Sequence, residues 1–304
     1  MTDQMFTPSA VEVPEDDEAL FRAMHDDICK AGVLVNAALN TADRLAAHDL
    51  EDLAANIDQN NNERGKYEKP GRETAASSRY LYVNSVKVEL AVNELIEKER
   101  SECSIFEIAF PHWRFEPEAL QIADVSQLMD EVKIAFDVLG MNGQLGWALG
   151  FMHGGFDPLE RTFSLSLVGI ANGPMAASIE QLRAFPSLAG NPVDDDGDEE
   201  VQARGGDVRV KLMPLADYGE PLSSLVQTRW PVRLRPIDEY GEEHNFDDCA
   251  PIPDHYLVPA LTWLDRWTLP DMTLAIGLRF SGQKVSREHT NAFRDRCLNP
   301  SRVW

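Results

Sequence analysis

The chain has no paired cysteines. Its four, Cys29, Cys103, Cys249 and Cys297, stand far apart with no C-x-x-C spacing. That excludes a disulfide-stapled scaffold and leaves free thiols in a reducing compartment as the reading. Nor is there a secretory core at the start, or an apolar run near the roughly 18 residues a membrane span needs. The expected location is the cytoplasm, with no membrane partner. Basic residues are scarce: 28 Lys and Arg stand against 51 Asp and Glu, a net charge of −23. Such a charge opposes non-specific binding to nucleic acid or anionic lipid unless the basic residues are gathered in one place. They are unevenly spread. Residues 1–60 carry 13 acidic and 3 basic side chains, residues 121–200 carry 13 and 3, and residues 201–304 carry 14 and 13. Any basic surface is therefore expected from residues 61–120 or from the C-terminal third.

Chemical motifs are also missing. None of the seven histidines forms H-x-H, H-E-x-x-H or H-x₃₋₅-H, so no metal site is predicted. There is no G-x-S-x-G, no G-x-x-x-x-G-K-[ST] and no G-x-G-x-x-G, and no cofactor is expected. The acidic run at 191–200 has Gly197 where a calcium loop has its central glycine. The sixth residue after it is Ala203 rather than a bidentate glutamate, so the run reads as a solvated loop.

What is present suffices for a core, since 43% of the residues are hydrophobic. Residues 1–55 read as a polar tail followed by an acidic helical segment. Its apolar residues Leu20, Phe21, Met24, Ile28, Val35, Leu39, Leu45 and Leu53 recur at roughly helical spacing, with Gly32 as a break. Such a helix packs on the body or offers a docking surface to a protein partner. Residues 56–78 hold little to bury and read as a flexible linker, and a helix is predicted over 83–100. The main domain, 79–304, is predicted to be α+β: an antiparallel sheet with packed helices, preceded by the helical N-terminal segment. Its strand 104–110 precedes a helix over 125–139. There Val125, Leu128, Met129, Val132, Ala135, Phe136 and Leu139 face inward, with Asp124 as N-cap and Gly140 as C-cap. Strands 145–153 and 162–171 form a hairpin whose turn contains Gly154 and Gly155 as breakers. Alternation puts Phe163, Leu165 and Leu167 on one face and Ser164 and Ser166 on the other. A strand follows at 207–215, a short helix in 221–230, a helix at 257–267 and another at 286–297.

Some residues invite a chemical reading. His112 follows a strand end and His153 ends a hairpin strand, so both could line one end of the sheet. Tyr80 and Tyr82 sit two apart, a nucleophile arrangement found in some DNA-nicking enzymes, although anchoring aromatics look the same.

The order of elements from about 104 to 282 resembles the HUH endonucleases, the replication-initiator and relaxase-like proteins of plasmids. The likeness is carried by SIFEIAFPHWRF, VSQLMDEVKIAFDVLG, LGWALGFMHGGFDPLERTFSLSLVGIA, VRVKLMPL, LSSLVQTRWPVR and LTWLDRW leading to DMTLAIGLRF. In that family one hairpin strand carries two histidines separated by one residue, and they bind a divalent metal. A later tyrosine attacks the phosphate. Here Ser164 and Ser166 stand at the histidine positions, and Ser224, with Gln227, stands in the tyrosine segment. The resemblance thus implies the fold of a replication or mobilisation protein without its nicking chemistry, binding DNA or a replication partner. DNA would meet Arg229, Arg233, Arg235, Arg279 and Lys284. The alternative is an acidic interaction protein with no nucleic-acid role. A third reading, an active metal nuclease, would use His112, His153 and nearby carboxylates.

Overall fold

The computed structural model describes residues 18–59, 72–97, 100–138, 146–184, 208–233, 251–281 and 284–287. Three helices come first: α1 (Glu18–Leu39), α2 (Arg44–Gln59) and α3 (Ser78–Ile96). Strand β1 (Ser104–Ala109) and the short β2 (Arg114–Phe115) lead to α4 (Pro117–Ile122) and α5 (Val125–Val138). The hairpin of β3 (Ala148–Asp157) and β4 (Thr162–Ala171) runs into α6 (Gly173–Gln181). Then come β5 (Arg209–Pro214), α7 (Asp254–Leu264), β6 (Thr273–Ile276) and a ribbon of β7 (Leu278–Ser281) and β8 (Lys284–Arg287).

The fold is α+β, as the sequence predicts. Six strands form one sheet in the order β5-β1-β4-β3-β6, with β2 added to β4, and every ladder in it is antiparallel. Because β1 and β3 both run antiparallel to β4, they are parallel to each other with β4 between them. The order β1, helices, β3, β4, α6, β5 is thus the double split βαβ arrangement.

Local chemistry explains the elements. In α5 the apolar positions recur at i, i+3, i+4 and i+7, and six of the seven predicted inward residues are buried, while Leu139 and Gly140 lie outside the described residues. Asp124 caps it, its carboxylate accepting the Ser126 N–H at 2.8 Å. The hairpin turns at 158–161: Asp157 accepts the Leu159 and Glu160 N–H groups, and Arg161 takes φ 55°. One buried cluster runs from Leu34, Leu53 and Ile57 of the first helices to Phe106, Phe163 and Trp263 in the body. Among the described residues no helix is long and apolar enough to cross a membrane.

Four expectations are corrected. The stripe Phe21, Ile28, Val35, Leu39 and Leu45 faces solvent, at 57%, 55%, 45%, 77% and 70% exposure. The face that α1 buries is Ala23, Asp27, Lys30, Leu34 and Ala38, and the helix runs on through Gly32. An acid and a base sit in that face because each satisfies the other, as described below. Second, 56–78 is not a linker at its described ends. Residues 56–59 finish α2, and Thr74, Ala75, Ala76, Ser77 and Ser78 are buried. Ser77 is the N-cap of α3, accepting the Tyr80 N–H, so that helix starts earlier than predicted. Third, Gly154 and Gly155 lie inside β3 rather than in the turn. A side chain on Gly154 would collide with the Trp230 ring, and one on Gly155 with Arg233. Their lack of a side chain lets residues 230–233 lie against β3, where Arg233 N–H reaches the Phe156 carbonyl at 2.7 Å. Fourth, 284–287 is strand β8 and not the start of a helix. The tail 1–17, residues 60–71 of the linker, the loop 191–200 and residues 288–297 lie outside the described residues.

Candidate functional site

The sheet register gathers four of the predicted site residues, Ser164, Ser166, His153 and Arg233, on one face. Residues paired across antiparallel strands share a face. Ser166 pairs with His153, and Ser164 with both Gly155 and Arg114. Glu107 pairs with Val168 on one side and Lys211 on the other. Val168 lies two residues after Ser166, so Glu107, Lys211, Ser164, Ser166, His153 and Arg114 all point the same way. Arg209, two before Lys211, joins them, and Arg233 lies over Gly155 on this face. On the opposite face Phe106, Ile108, Phe163, Leu165 and Leu167 are buried. Here Arg114, Arg209 and Lys211 are exposed, while Ala109, Ser164, Val168 and His153 are half-buried.

Charge on this face is coupled. Lys211 Nζ donates to Glu107 Oε2 at 3.0 Å. Burial pushes the Glu107 carboxyl up, but Lys211, Arg233 and His153 outweigh it and hold the carboxyl below its ordinary value. Burial drives the pKa of His153 down to about 4. The Leu225 carbonyl, which accepts its Nε2–H at 2.9 Å, and Glu107 pull the other way, and Arg233 adds to the fall. His153 is therefore neutral near pH 7, with Nε2 engaged. Its folded pKa lies below the unfolded value of 6.5, so the folded state resists protonation. Stability is expected to fall as pH drops from 6.5 toward about 4. His153→Gln should flatten that window in urea titrations, most clearly above about pH 5, where few carboxylates titrate. Ser166 Oγ is buried without a hydrogen-bond partner.

The other sequence candidates serve structure. Tyr80 Oη accepts the Leu269 N–H at 3.2 Å, and burial above all pushes its pKa up to about 12, which opposes a phenolate nucleophile. Tyr82 is two residues on in a helix, so the two tyrosines do not share a face. His112 meets Glu131 Oε2 at 2.9 Å, the same oxygen that accepts the Trp113 indole N–H at 2.9 Å. No described contact brings His112 to His153. Ser224 stands in the 3-10 turn Leu222–Leu225 beside Leu225, its hydroxyl on the Pro221 carbonyl and the Tyr218 hydroxyl, each at 2.6 Å. Gln227 Oε1 accepts the Gly154 N–H at 2.7 Å.

Of the five predicted basic residues, only Arg233 is placed on the sheet face. Arg229 lies 3.5 Å from Asp26 of α1. Arg279 and Lys284 fall on β7 and β8, where only the course of the chain is described, and Arg235 lies outside the described residues. The basic residues that do line the face, Arg114, Arg209 and Lys211, are ones the sequence reading missed. A local signal existed: in Val208–Arg209–Val210–Lys211–Leu212 the cations alternate with apolar residues, so both point the same way. Among the described residues no three His, Cys, Asp or Glu side chains come together in a way that could hold a metal ion.

A second cluster joins α1 to the start of α3. Lys30 Nζ lies 3.0 Å from Asp26 and 3.8 Å from Asp27, and donates to Ser78 Oγ at 2.6 Å and the Ala76 carbonyl at 3.1 Å. Asp27 accepts Ser77 O–H and the Ser78 and Arg79 N–H groups, an anion on a helix N-terminus. Burial raises the Asp27 pKa despite Lys30 and these donors. At Asp26 burial also pushes upward, but Lys30, Ser78 and Arg229 prevail and the pKa is lowered.

Comparison of the chain with family models, with curated proteins and with solved structures returned no match.

Proposed function

We propose that this chain is a non-nicking, HUH-like replication or mobilisation protein of a plasmid or other mobile element, and that it binds DNA through the half-open sheet face. One observation carries the reading. In a chain of net charge −23, this face collects Arg114, Arg209, Lys211 and Arg233, while Glu107 is paired with Lys211, and Asp157, on the same face by register, is engaged by the N–H groups of the hairpin turn. Segregated positive charge in an acidic protein is the footprint expected of a phosphate-binding surface. Among the described strand residues of this face the one aromatic, Phe151, is buried. The binding is therefore to the backbone of the DNA and tolerant of sequence. Serine hydroxyls at 164 and 166 are poor metal ligands beside imidazole, which supports binding without cleavage.

Fluorescence polarisation with labelled single-stranded DNA tests this between about 50 and 200 mM salt. Arg209→Glu and Lys211→Glu are expected to weaken binding and to reduce the salt slope by about 0.7 for each phosphate left without its cation. Lys133→Glu, on an exposed pair with Asp130, should leave binding unchanged. With Mg²⁺ or Mn²⁺, supercoiled and single-stranded DNA should remain uncut, with no covalent protein–DNA adduct. A metal-dependent cut abolished by changing Tyr80, Tyr82, His112 or His153 would overturn the non-nicking reading.

A second reading, an acidic interaction protein with no nucleic-acid role, is favoured by the solvent-facing Phe21, Ile28, Val35 and Leu39 of α1. Absence of DNA binding at about 50 mM salt, with Arg209→Glu and Lys211→Glu indistinguishable from wild type, would select it.

A further inference from the structure

A partly open cavity of about 160 Å³ lies between α1, residues 227–230 and α7, away from the sheet face. Its walls are apolar, built by Val33, Leu81, Trp230, Leu257 and Leu261. Protein interiors close-pack and rarely leave voids much larger than a water molecule, so a space this size with apolar walls is under-filled by the chain's own described side chains. A comparable volume holds one six-membered ring. The charged groups at its edge are Asp26, Lys30, Arg229 and Asp254. Two are acidic and two basic, and Asp26 already engages Lys30 at 3.0 Å and Arg229 at 3.5 Å. The edge therefore carries no net formal charge, and its one carboxylate without an ion pair among the described residues, Asp254, is exposed and hydrated, so a formally charged ligand would lose its hydration without a buried counter-charge.

We infer that this cavity is a binding site for a small neutral amphiphile, with an apolar body the size of one ring or short branched chain and a single hydrogen-bonding head. The inference is independent of the DNA-binding reading, because the cavity shares only the 227–233 segment with the sheet face. Cys29 supplies the reporter: it lines the cavity, the residue is exposed, and its Sγ lies 3.7 Å from His25 Nδ1. A bound ligand shields it from a bulky thiol reagent.

The test uses the full chain with benzyl alcohol as probe and benzoate and benzylamine as charged analogues of the same size. The rate of maleimide labelling is read at the Cys29 peptide by mass spectrometry. Benzyl alcohol is expected to slow labelling severalfold and saturably, with both charged analogues weaker by about tenfold. Val33→Trp, which fills the cavity from a half-buried helix position, should remove the protection while circular dichroism stays native. Leu257→Phe serves the same purpose should the tryptophan disturb folding. Labelling that no probe slows, or protection that persists in both filled variants, would refute the site. Stronger protection by benzoate or benzylamine would refute the neutral ligand class.

Discussion

Lys30→Met is expected to lower the unfolding free energy by about 3–5 kcal/mol at neutral pH, as for a buried ion pair that loses one partner. The size follows from what is left behind. Asp27 is fully buried and Asp26 half-buried, and Lys30 is the only ammonium within 4 Å of either among the described residues. Methionine fills the same space, so the packing of α1 on the body is preserved and the loss is electrostatic. The pH dependence separates this from a packing defect. The Asp27 pKa is already raised in the folded protein, and without Lys30 it rises further. A carboxyl whose folded pKa lies above its unfolded value favours folding at low pH, and that contribution is lost as pH rises through the folded pKa. The variant should therefore recover part of its deficit as pH falls from about 7 toward 5, and Lys30→Met with Asp27→Asn should recover much of it at neutral pH. Urea midpoints at the two ends of that range measure both. A deficit unchanged by pH and by the second substitution would show that the cluster is not held by charge.

This cluster also marks where sequence reading stops. Periodicity finds α5 because its stripe is apolar throughout, and it finds the β3–β4 hairpin because Phe163, Leu165 and Leu167 alternate with Ser164 and Ser166. The same reasoning chose the wrong face of α1. It assumes that charged residues point outward, and Asp27 and Lys30 escape that rule only because residues near 77, about 50 positions away, complete their bonds. The linker reading missed its described C-terminal end for the same reason: Ala75, Ala76 and Ser77 look idle until α1 is laid beside them. Half of the candidate site was legible. Ser164, Ser166 and His153 share a face by alternation and hairpin register. Glu107 and Lys211 meet across 104 residues, and no local pattern reports which strand lies next to β1. The glycines of β3 were read as breakers, since a sequence does not say which ring will occupy the space a missing side chain leaves.

Gly169→Ala is the substitution expected to damage the sheet most, by about 3 kcal/mol or more, at or beyond the usual range for overpacking. Gly169 sits in β4 between β1 and β3, opposite Phe106 on one side and Gly150 on the other. An added methyl would collide with the Leu149 carbonyl oxygen, the Gly150 Cα and the tip of the Phe106 ring. Two of those three atoms are backbone, pinned by ladders on both sides, so no rotamer change relieves them. Gly150→Ala is the informative partner. There the added methyl meets only side-chain atoms, Phe106 Cζ at 3.0 Å and Leu167 at 3.1 Å. Those side chains can shift, and a loss of about 1–2 kcal/mol is expected. Shrinking the ring with Phe106→Leu should relieve Gly150→Ala in a double-mutant cycle and leave Gly169→Ala nearly as damaged, because the backbone clashes remain. Chemical denaturation of the single and double variants gives the comparison. A wild-type midpoint for Gly169→Ala would mean that β4 does not lie between β1 and β3 in this register. The shared face of Glu107, Lys211, Ser166 and His153, and the DNA-binding proposal built on it, would then fall together.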